Sequence, residues 1–185
     1  VYNDKGCIEK SGKEICNYDG KARGVVSMQE VLNQSLNTGA SFVVDKMGHE
    51  VFGRYVMGFQ LGSRTGIDLP NEAKGQIDSV VKGYDVDYAS ASFGQGIAVS
   101  PIGMTRALAS LANQGVLPNP HIVKAIKYES GITRAIDIPE GLRVFSTTTT
   151  ETVTRMLVTV FDDALLKGVL KQDHYSIAAK TGTAQ

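Results

Sequence analysis

Lys180-Thr181-Gly182-Thr183 combines side chains suited to holding a ligand against the main chain. Lysine supplies a compact positive charge with three donors, and the two threonines add hydroxyls able to hold a carboxylate or an amide. Gly182 has no Cβ, so a substrate can approach the backbone there. The run before it, Ser176-Ile177-Ala178-Ala179, is small and β-capable, so the stretch reads as a strand edge recognising something acidic and extended. A second polar pair, Ser35 and Asn37, falls in Ser35-Leu36-Asn37-Thr38-Gly39, where residues that prefer caps and turns interrupt a helical pattern. A tight loop between two packed helices is a rigid place from which to present polar side chains.

The elements that must position these residues carry local signals. Ser27-Met28-Gln29-Glu30 fits a capping box and starts a helix running to about Gln34. A second helix is expected up to Gly48 with Phe42, Val43 and Met47 inward, and a third from about His49 to Met57 presenting Phe52, Tyr55 and Val56. Ser100-Pro101 pairs a cap with a proline at the first helical position. Met104, Leu108 and Leu111 then recur at helical spacing as a core face, until Gly115 stops the helix. His121 to Tyr128 and Ile132 to Ile138 suit a hairpin turning through Glu129-Ser130-Gly131. Ser146 caps a long helix with Val153, Leu157, Val160, Phe161 and Ala164 on one face, ended by Gly168. That helix feeds the Lys180 segment, an α+β arrangement with helices packed on a mostly antiparallel sheet. Four segments result: a hairpin region 1–20, a helical part 21–60 holding Ser35 and Asn37, helices and a small hairpin over 61–175, and the strand 176–185.

Composition removes several functions. With 42% hydrophobic residues the chain can bury a core, and Lys+Arg and Asp+Glu are 19 each, so it has no electrostatic footprint for nucleic acid. No apolar run reaches the length of a membrane span, and the N-terminus lacks the form of a signal peptide. Both ends read as cut through a domain. Asp68, Glu72, Asp85 and Asp87 are expected as solvated loop charges rather than a paired-carboxylate site. Phe93-Gly94-Gln95-Gly96 lacks the third glycine and preceding strand of a dinucleotide fingerprint. His49, His121 and His174 are isolated from one another, and no metal cluster is expected.

The two cysteines sit in Gly6 to Cys16, which reads as two strands around Ser11-Gly12. A two-residue loop pairs Lys10 with Lys13, Glu9 with Glu14, Ile8 with Ile15 and Cys7 with Cys16, and makes a cross-strand disulfide feasible. The same register sets like charges opposite one another. A three-residue loop would remove both the repulsion and the cysteine pairing, leaving two free thiols.

Ser35-x-Asn37 followed by Lys180-Thr181-Gly182 resembles two of the three motifs of the penicillin-binding protein and β-lactamase superfamily, which uses Ser-x-x-Lys, Ser-x-Asn and Lys-Thr-Gly in that order. Thr65-Gly66-Ile67-Asp68-Leu69-Pro70, Phe93-Gly94-Gln95-Gly96, Val99-Ser100-Pro101, Leu111-Ala112-Asn113 and Pro120-His121-Ile122-Val123-Lys124 are similar to landmarks of class B penicillin-binding proteins. These are monofunctional D,D-transpeptidases that cross-link peptidoglycan, and the likeness runs from about Asn17 to the C-terminus. It implies a penicillin-binding transpeptidase fold, incomplete at both ends.

The resemblance also implies roles. Ser35 would pass a proton toward the leaving D-alanine amine together with Lys180, and Asn37 would hold the substrate's amide carbonyl. Thr181 and Thr183 would hold the terminal carboxylate, Thr183 N–H would be an oxyanion donor, and Gly182 would leave room for the peptide. Stem peptides and β-lactams are the implied ligands, with no cofactor and no metal. A membrane glycan polymerase is the implied partner, and the place of work is the outer face of a bacterial cell membrane, reached through an N-terminal anchor outside these residues. That compartment would permit a Cys7–Cys16 bridge. One departure is plain: no Ser-x-x-Lys occurs ahead of Ser35, so the nucleophile is expected upstream of Val1 and this chain alone is expected to be inactive. The alternatives are a class D-type β-lactamase or β-lactam sensor domain, and a non-catalytic interaction domain of the same fold.

Overall fold

The computed structural model describes residues 1–182, so Thr183 of the expected substrate-binding set lies outside the described residues. The chain opens with β1 (Tyr2–Asp4), β2 (Cys7–Lys10), β3 (Lys13–Cys16) and β4 (Gly24–Val26). Strands β2 and β3 pair antiparallel with Cys7 opposite Cys16, the register of a two-residue loop, and the two sulfurs are bonded. β1 pairs with β4, which brings the two ends of this N-terminal segment together.

Three helices follow: α1 (Met28–Asn33), α2 (Asn37–Met47) and α3 (His49–Gly58). Ser27 caps α1 by accepting the Glu30 N–H at 3.1 Å, while the Glu30 carboxylate turns forward to the amides of Asn33 and Gln34. Tyr2, Val31 and Leu36 form one core, with Val26, Met28 and Phe42 packed on it. A Cβ added at Gly39 would stand 2.6 Å from the Val31 side chain, so a glycine there lets α2 close onto α1.

The expected inward face of α2 holds for Phe42 and is corrected for the other two residues. Val43 and Met47 are exposed, and the buried positions are Thr38, Gly39, Ser41 and Val44. The Thr38 hydroxyl enters a buried polar cluster with Asp4 and Asn17, while Ser41 Oγ is buried without a hydrogen-bond partner among the described residues; spacing alone marks only the apolar residues.

The stretch 61–100 is more ordered than its polarity predicts. It contains two short helices, α4 (Ser79–Lys82) and α5 (Asp85–Ala91). Val56, Val80 and Ala91 make a second core with Phe52, Leu61, Ile77, Tyr88 and Ile97 against it. The acidic loop residues here bind backbone instead of pairing. Asp68 accepts the Ile122 and Val123 N–H groups, both at 2.7 Å, and Glu72 accepts from Thr65 and Gly66. These bonds hold both carboxyls below their ordinary range.

α6 (Pro101–Ala112) starts as expected, with Ser100 accepting the Gly103 N–H at 3.2 Å, but its core face is also corrected. Met104 and Leu108 are 40% and 56% exposed, and Arg106 and Ser110 are buried instead. Arg106 can enter because its guanidinium finds the Pro118 carbonyl at 2.6 Å, Gln60 Oε1 at 2.7 Å and Asn119 Oδ1 at 3.0 Å. Then come β5 (Val116–Leu117), β6 (Ala125–Lys127), β7 (Thr133–Ala135) and β8 (Leu142–Arg143). β6 and β7 form the expected hairpin and β5 pairs with β8. Every ladder among the described residues is antiparallel and two-stranded.

α7 (Thr147–Thr159) runs against α1, with Gln29 donating to the Met156 carbonyl at 3.0 Å. It widens into a π turn over Val160–Ala164 and tightens into a short helical turn over Leu165–Gly168. The expected strand at the Lys-Thr-Gly segment is not formed over 176–182. No strand lies alongside to complete a ladder among the described residues, and the segment is tied down by the Ala179 N–H to the Leu157 carbonyl at 3.3 Å. No helix among them is long and apolar enough to cross a membrane.

Candidate active site

Ser35 owes its position to the way α1 ends. The Ser35 N–H donates to the Leu32 carbonyl at 3.2 Å and the Leu36 N–H to the Val31 carbonyl at 3.0 Å, the paired bonds of a Schellman turn. That turn needs a left-handed residue, usually glycine, and Ser35 fills it at φ 53°. A non-glycine residue is strained there by about 1 kcal/mol. Leu36, 2% exposed, packs with Val31 beneath the turn and locks it. The serine hydroxyl is thus held on an over-determined bend.

Asn37 is the first residue of α2, and its Nδ2 donates to the Cys16 carbonyl at 3.0 Å. That bond leaves the Oδ1 and one N–H of the amide for a ligand. The disulfide-closed hairpin therefore stands directly behind Asn37.

Lys180 arrives from the other end of the chain. Its Nζ donates to Ser35 Oγ at 2.7 Å and lies 3.3 Å from both the carbonyl and the Oγ1 of Thr181. No carboxylate neutralises it among the described residues. Although Lys180 as a whole is exposed, protein around the ammonium pushes its pKa below the ordinary lysine value, burial being the cause. Thr181 Oγ1, with the ammonium facing its lone pairs, keeps its proton free to donate. A Cβ at Gly182 would meet nothing within 4 Å, so the space above that backbone is open.

Ser35, Asn37, Lys180, Thr181 and Gly182 line one groove of about 670 Å³. Its walls include Tyr18, Phe93, Gln95 and Leu165, none of which the sequence reading placed in a site. Phe93 and Gln95 were legible only as part of Phe-Gly-Gln-Gly, whose glycines adopt φ 93° and 73° and turn the chain past the groove. Leu165 is brought there by the π turn that ends α7.

The string Ser79-Val80-Val81-Lys82 has the spacing of a Ser-x-x-Lys motif but stands apart from this groove. Ser79 Oγ donates to the Gly96 carbonyl at 2.7 Å, and Val80 between them is a core residue. Cys7, Glu14 and Cys16 lie close enough to suggest a metal cluster, but both thiols are consumed by the disulfide. His49 stacks on Tyr88 at 4.3 Å with Asp85 3.6 Å away, outside the groove.

Residues 1–185 as a whole match the penicillin binding protein transpeptidase domain family. Stage V sporulation protein D of Bacillus subtilis is 28% identical over 193 residues, covering 100% of this chain and 29% of the relative. Penicillin-binding protein PbpB of Mycobacterium tuberculosis is 28% identical, covering 97% of this chain and 27% of the relative. Among solved structures, penicillin binding protein 3 of Mycobacterium tuberculosis, complexed with ampicillin, superposes with a TM-score of 0.81 at 29% identity over 87% of this chain and 36% of that one. A peptidoglycan synthetase from Bifidobacterium adolescentis gives a TM-score of 0.88 at 24% identity, over 98% of this chain and 33% of that one, and shares the fold. The chain thus spans about a third or less of the length of these relatives. With its Ser-x-Asn and Lys-Thr-Gly residues meeting in one groove and its whole length matched, the chain belongs to the class B penicillin-binding protein transpeptidase family.

Proposed function

We propose that this chain supplies the Ser-x-Asn and Lys-Thr-Gly side of a peptidoglycan D,D-transpeptidase, with the acylated serine and its lysine carried by a Ser-x-x-Lys segment outside these 185 residues. The observation that carries the reading is the 2.7 Å contact between Lys180 Nζ and Ser35 Oγ, made across 145 positions. A charged lysine held against a serine hydroxyl in an open groove makes a proton path, and a surface ion pair would instead have sought a carboxylate.

In this reading the nucleophilic serine attacks the penultimate D-alanine carbonyl of a stem peptide. A C–O bond forms, the C–N bond to the terminal D-alanine breaks, and the proton reaches the leaving amine through Ser35. The depressed pKa of Lys180 eases proton release from this pair, while its remaining charge draws the terminal carboxylate toward the Thr181 hydroxyl. Asn37 offers its free amide N–H to the substrate carbonyl. Thr183 takes the second hydroxyl contact and an oxyanion N–H, roles assigned by the motif. The backbone around Gly182, where a Cβ would meet nothing within 4 Å, offers a peptide an edge to lie along. β-Lactams occupy the same groove and acylate the same serine. The protein works at the outer face of a bacterial membrane beside a glycan polymerase, a setting compatible with the disulfide.

Fluorescent penicillin tests this reading. The full-length protein should be labelled covalently, and the 185-residue chain should not. Labelling of the short chain would place the nucleophile within it, and an unlabelled full-length protein would remove the transpeptidase reading.

A further inference from the structure

Asp4 is 1% exposed, is drawn into no part of the chemistry above, and is surrounded by donors. Its carboxylate accepts from Asn17 Nδ2 at 3.0 and 3.1 Å, the Arg23 N–H at 2.9 Å, the Gly6 N–H at 3.2 Å and the Thr38 hydroxyl at 2.8 Å. Burial alone would raise its pKa, and these bonds outweigh it and hold the carboxyl below its ordinary value.

The network leads to the catalytic loop. The residue before α2 is Leu36, which has no side-chain oxygen, so the helix lacks a cap of its own. Its Thr38 N–H is taken instead by Asn17 Oδ1 at 3.3 Å, from 21 positions away. Asn17 can offer that oxygen only if its amide nitrogen faces elsewhere, and Asp4 is the group its nitrogen faces. The backbone of Asn17 is fixed in turn by its N–H to the Gly6 carbonyl at 2.8 Å, and the preceding carbonyl, of Cys16, receives the Asn37 amide.

We infer that Asp4, Asn17 and Thr38 are positioning residues for the transpeptidase site: the buried carboxylate orients Asn17, Asn17 caps α2, and the capped first turn sets Asn37 beside Ser35. The inference rests on the proposed function and names the residues that aim its Ser-x-Asn loop. Loss of any of the three should misaim the Asn37 amide beyond what it costs in stability.

The test uses the full-length protein and the acylation of its serine by fluorescent penicillin, resolved into the binding constant and the rate constant of acylation. Asp4→Asn and Thr38→Val should lower the rate constant roughly 10- to 100-fold, the scale of a small misplacement at a reacting centre. The binding constant should change far less. Thr38→Ser, which keeps the hydroxyl, should restore the rate. Val80→Ala, a cavity in the second core, controls for stability: it lowers the melting temperature and should leave the rate constant within about 2-fold. Should Asp4→Asn fail to fold, the Thr38→Val and Thr38→Ser pair decides the matter alone. Folded Thr38→Val that acylates at the unaltered rate overturns the inference while leaving the proposed function standing. An unaltered protein that takes up no penicillin removes both.

Discussion

The Leu36 N–H reaches the Val31 carbonyl at 3.0 Å, and the turn this bond closes holds Ser35 in a left-handed conformation that glycine would adopt without strain. Function and stability therefore pull apart at this position. Ser35→Gly should be about 1 kcal/mol more stable than Ser35→Ala, because glycine relaxes the turn and alanine does not. In the full-length protein both should lose acylation to the same degree. Thermal melts paired with penicillin labelling check this, and an alanine variant as stable as the glycine variant would count against a strained Ser35.

The hairpin behind Asn37 depends on its cross-link. Cys7 and Cys16 are 9 positions apart, and in the chain-entropy account closing so short a loop stabilises by about 2–3 kcal/mol. Reduction, or Cys7→Ser with Cys16→Ser, should lower the melting temperature of the chain by that equivalent, measured with and without reductant. A melting temperature insensitive to reductant would show that the Asp4 network holds the hairpin unaided.

Asp4 gives the stability a definite acid limit. Its folded pKa lies below the unfolded value, so the folded state binds fewer protons and the stabilisation is fully present above the unfolded value. It should be lost as the pH falls through the folded value, that is, below about pH 4. Asp4→Asn should cost about 1–3 kcal/mol at neutral pH and flatten this part of the melting temperature profile. A variant that keeps the unaltered acid profile would assign the effect to other carboxyls.

Arg106 makes a parallel case in the other half of the chain. Replacing it by Met removes the donor to three acceptors, those of Pro118, Gln60 and Asn119, and should cost about 3 kcal/mol, with Arg106→Lys recovering only part. Denaturant midpoints of the two variants test the fork geometry, and a lysine variant as stable as the unaltered chain would argue for charge alone.

Much of this was written locally in the sequence. The starts of α1, α6 and α7 follow from Ser27, Ser100 and Ser146, whose hydroxyls each take a helix N–H, whereas the Cys7–Cys16 register was one of two the sequence allowed and only the folded hairpin selects it. Ser35, Asn37 and Lys180 were legible through spacing and resemblance. What stayed hidden depends on partners far away in the chain. Periodicity marks Met104 and Leu108 as a face without saying that Arg106 will find three carbonyl-type acceptors and turn the opposite face inward. Asp4, Asn17 and Thr38 are ordinary polar residues until folding brings them together. A strand at Lys180 needs a neighbour that composition cannot supply, and the wall formed by Tyr18, Phe93 and Leu165 exists only once the groove is built.

The alkaline side of the reaction reports on Lys180. If its ammonium steadies the substrate carboxylate, acylation by the full-length protein should fall with rising pH, at a midpoint below the ordinary lysine value of about 10.4. Lys180→Arg should move that limb out of reach, since guanidinium stays charged. A limb unchanged in the arginine variant would assign the titration elsewhere.

The most direct measurement is a double-mutant cycle between Ser35 and Lys180, read as the acylation rate constant of the full-length protein with fluorescent penicillin. Each alanine variant should slow acylation by about 10²–10⁴. If the two side chains act as the unit their 2.7 Å contact implies, the double variant should be no slower than the slower single. Losses that multiply would contradict a shared role, as would either single variant acylating at the unaltered rate.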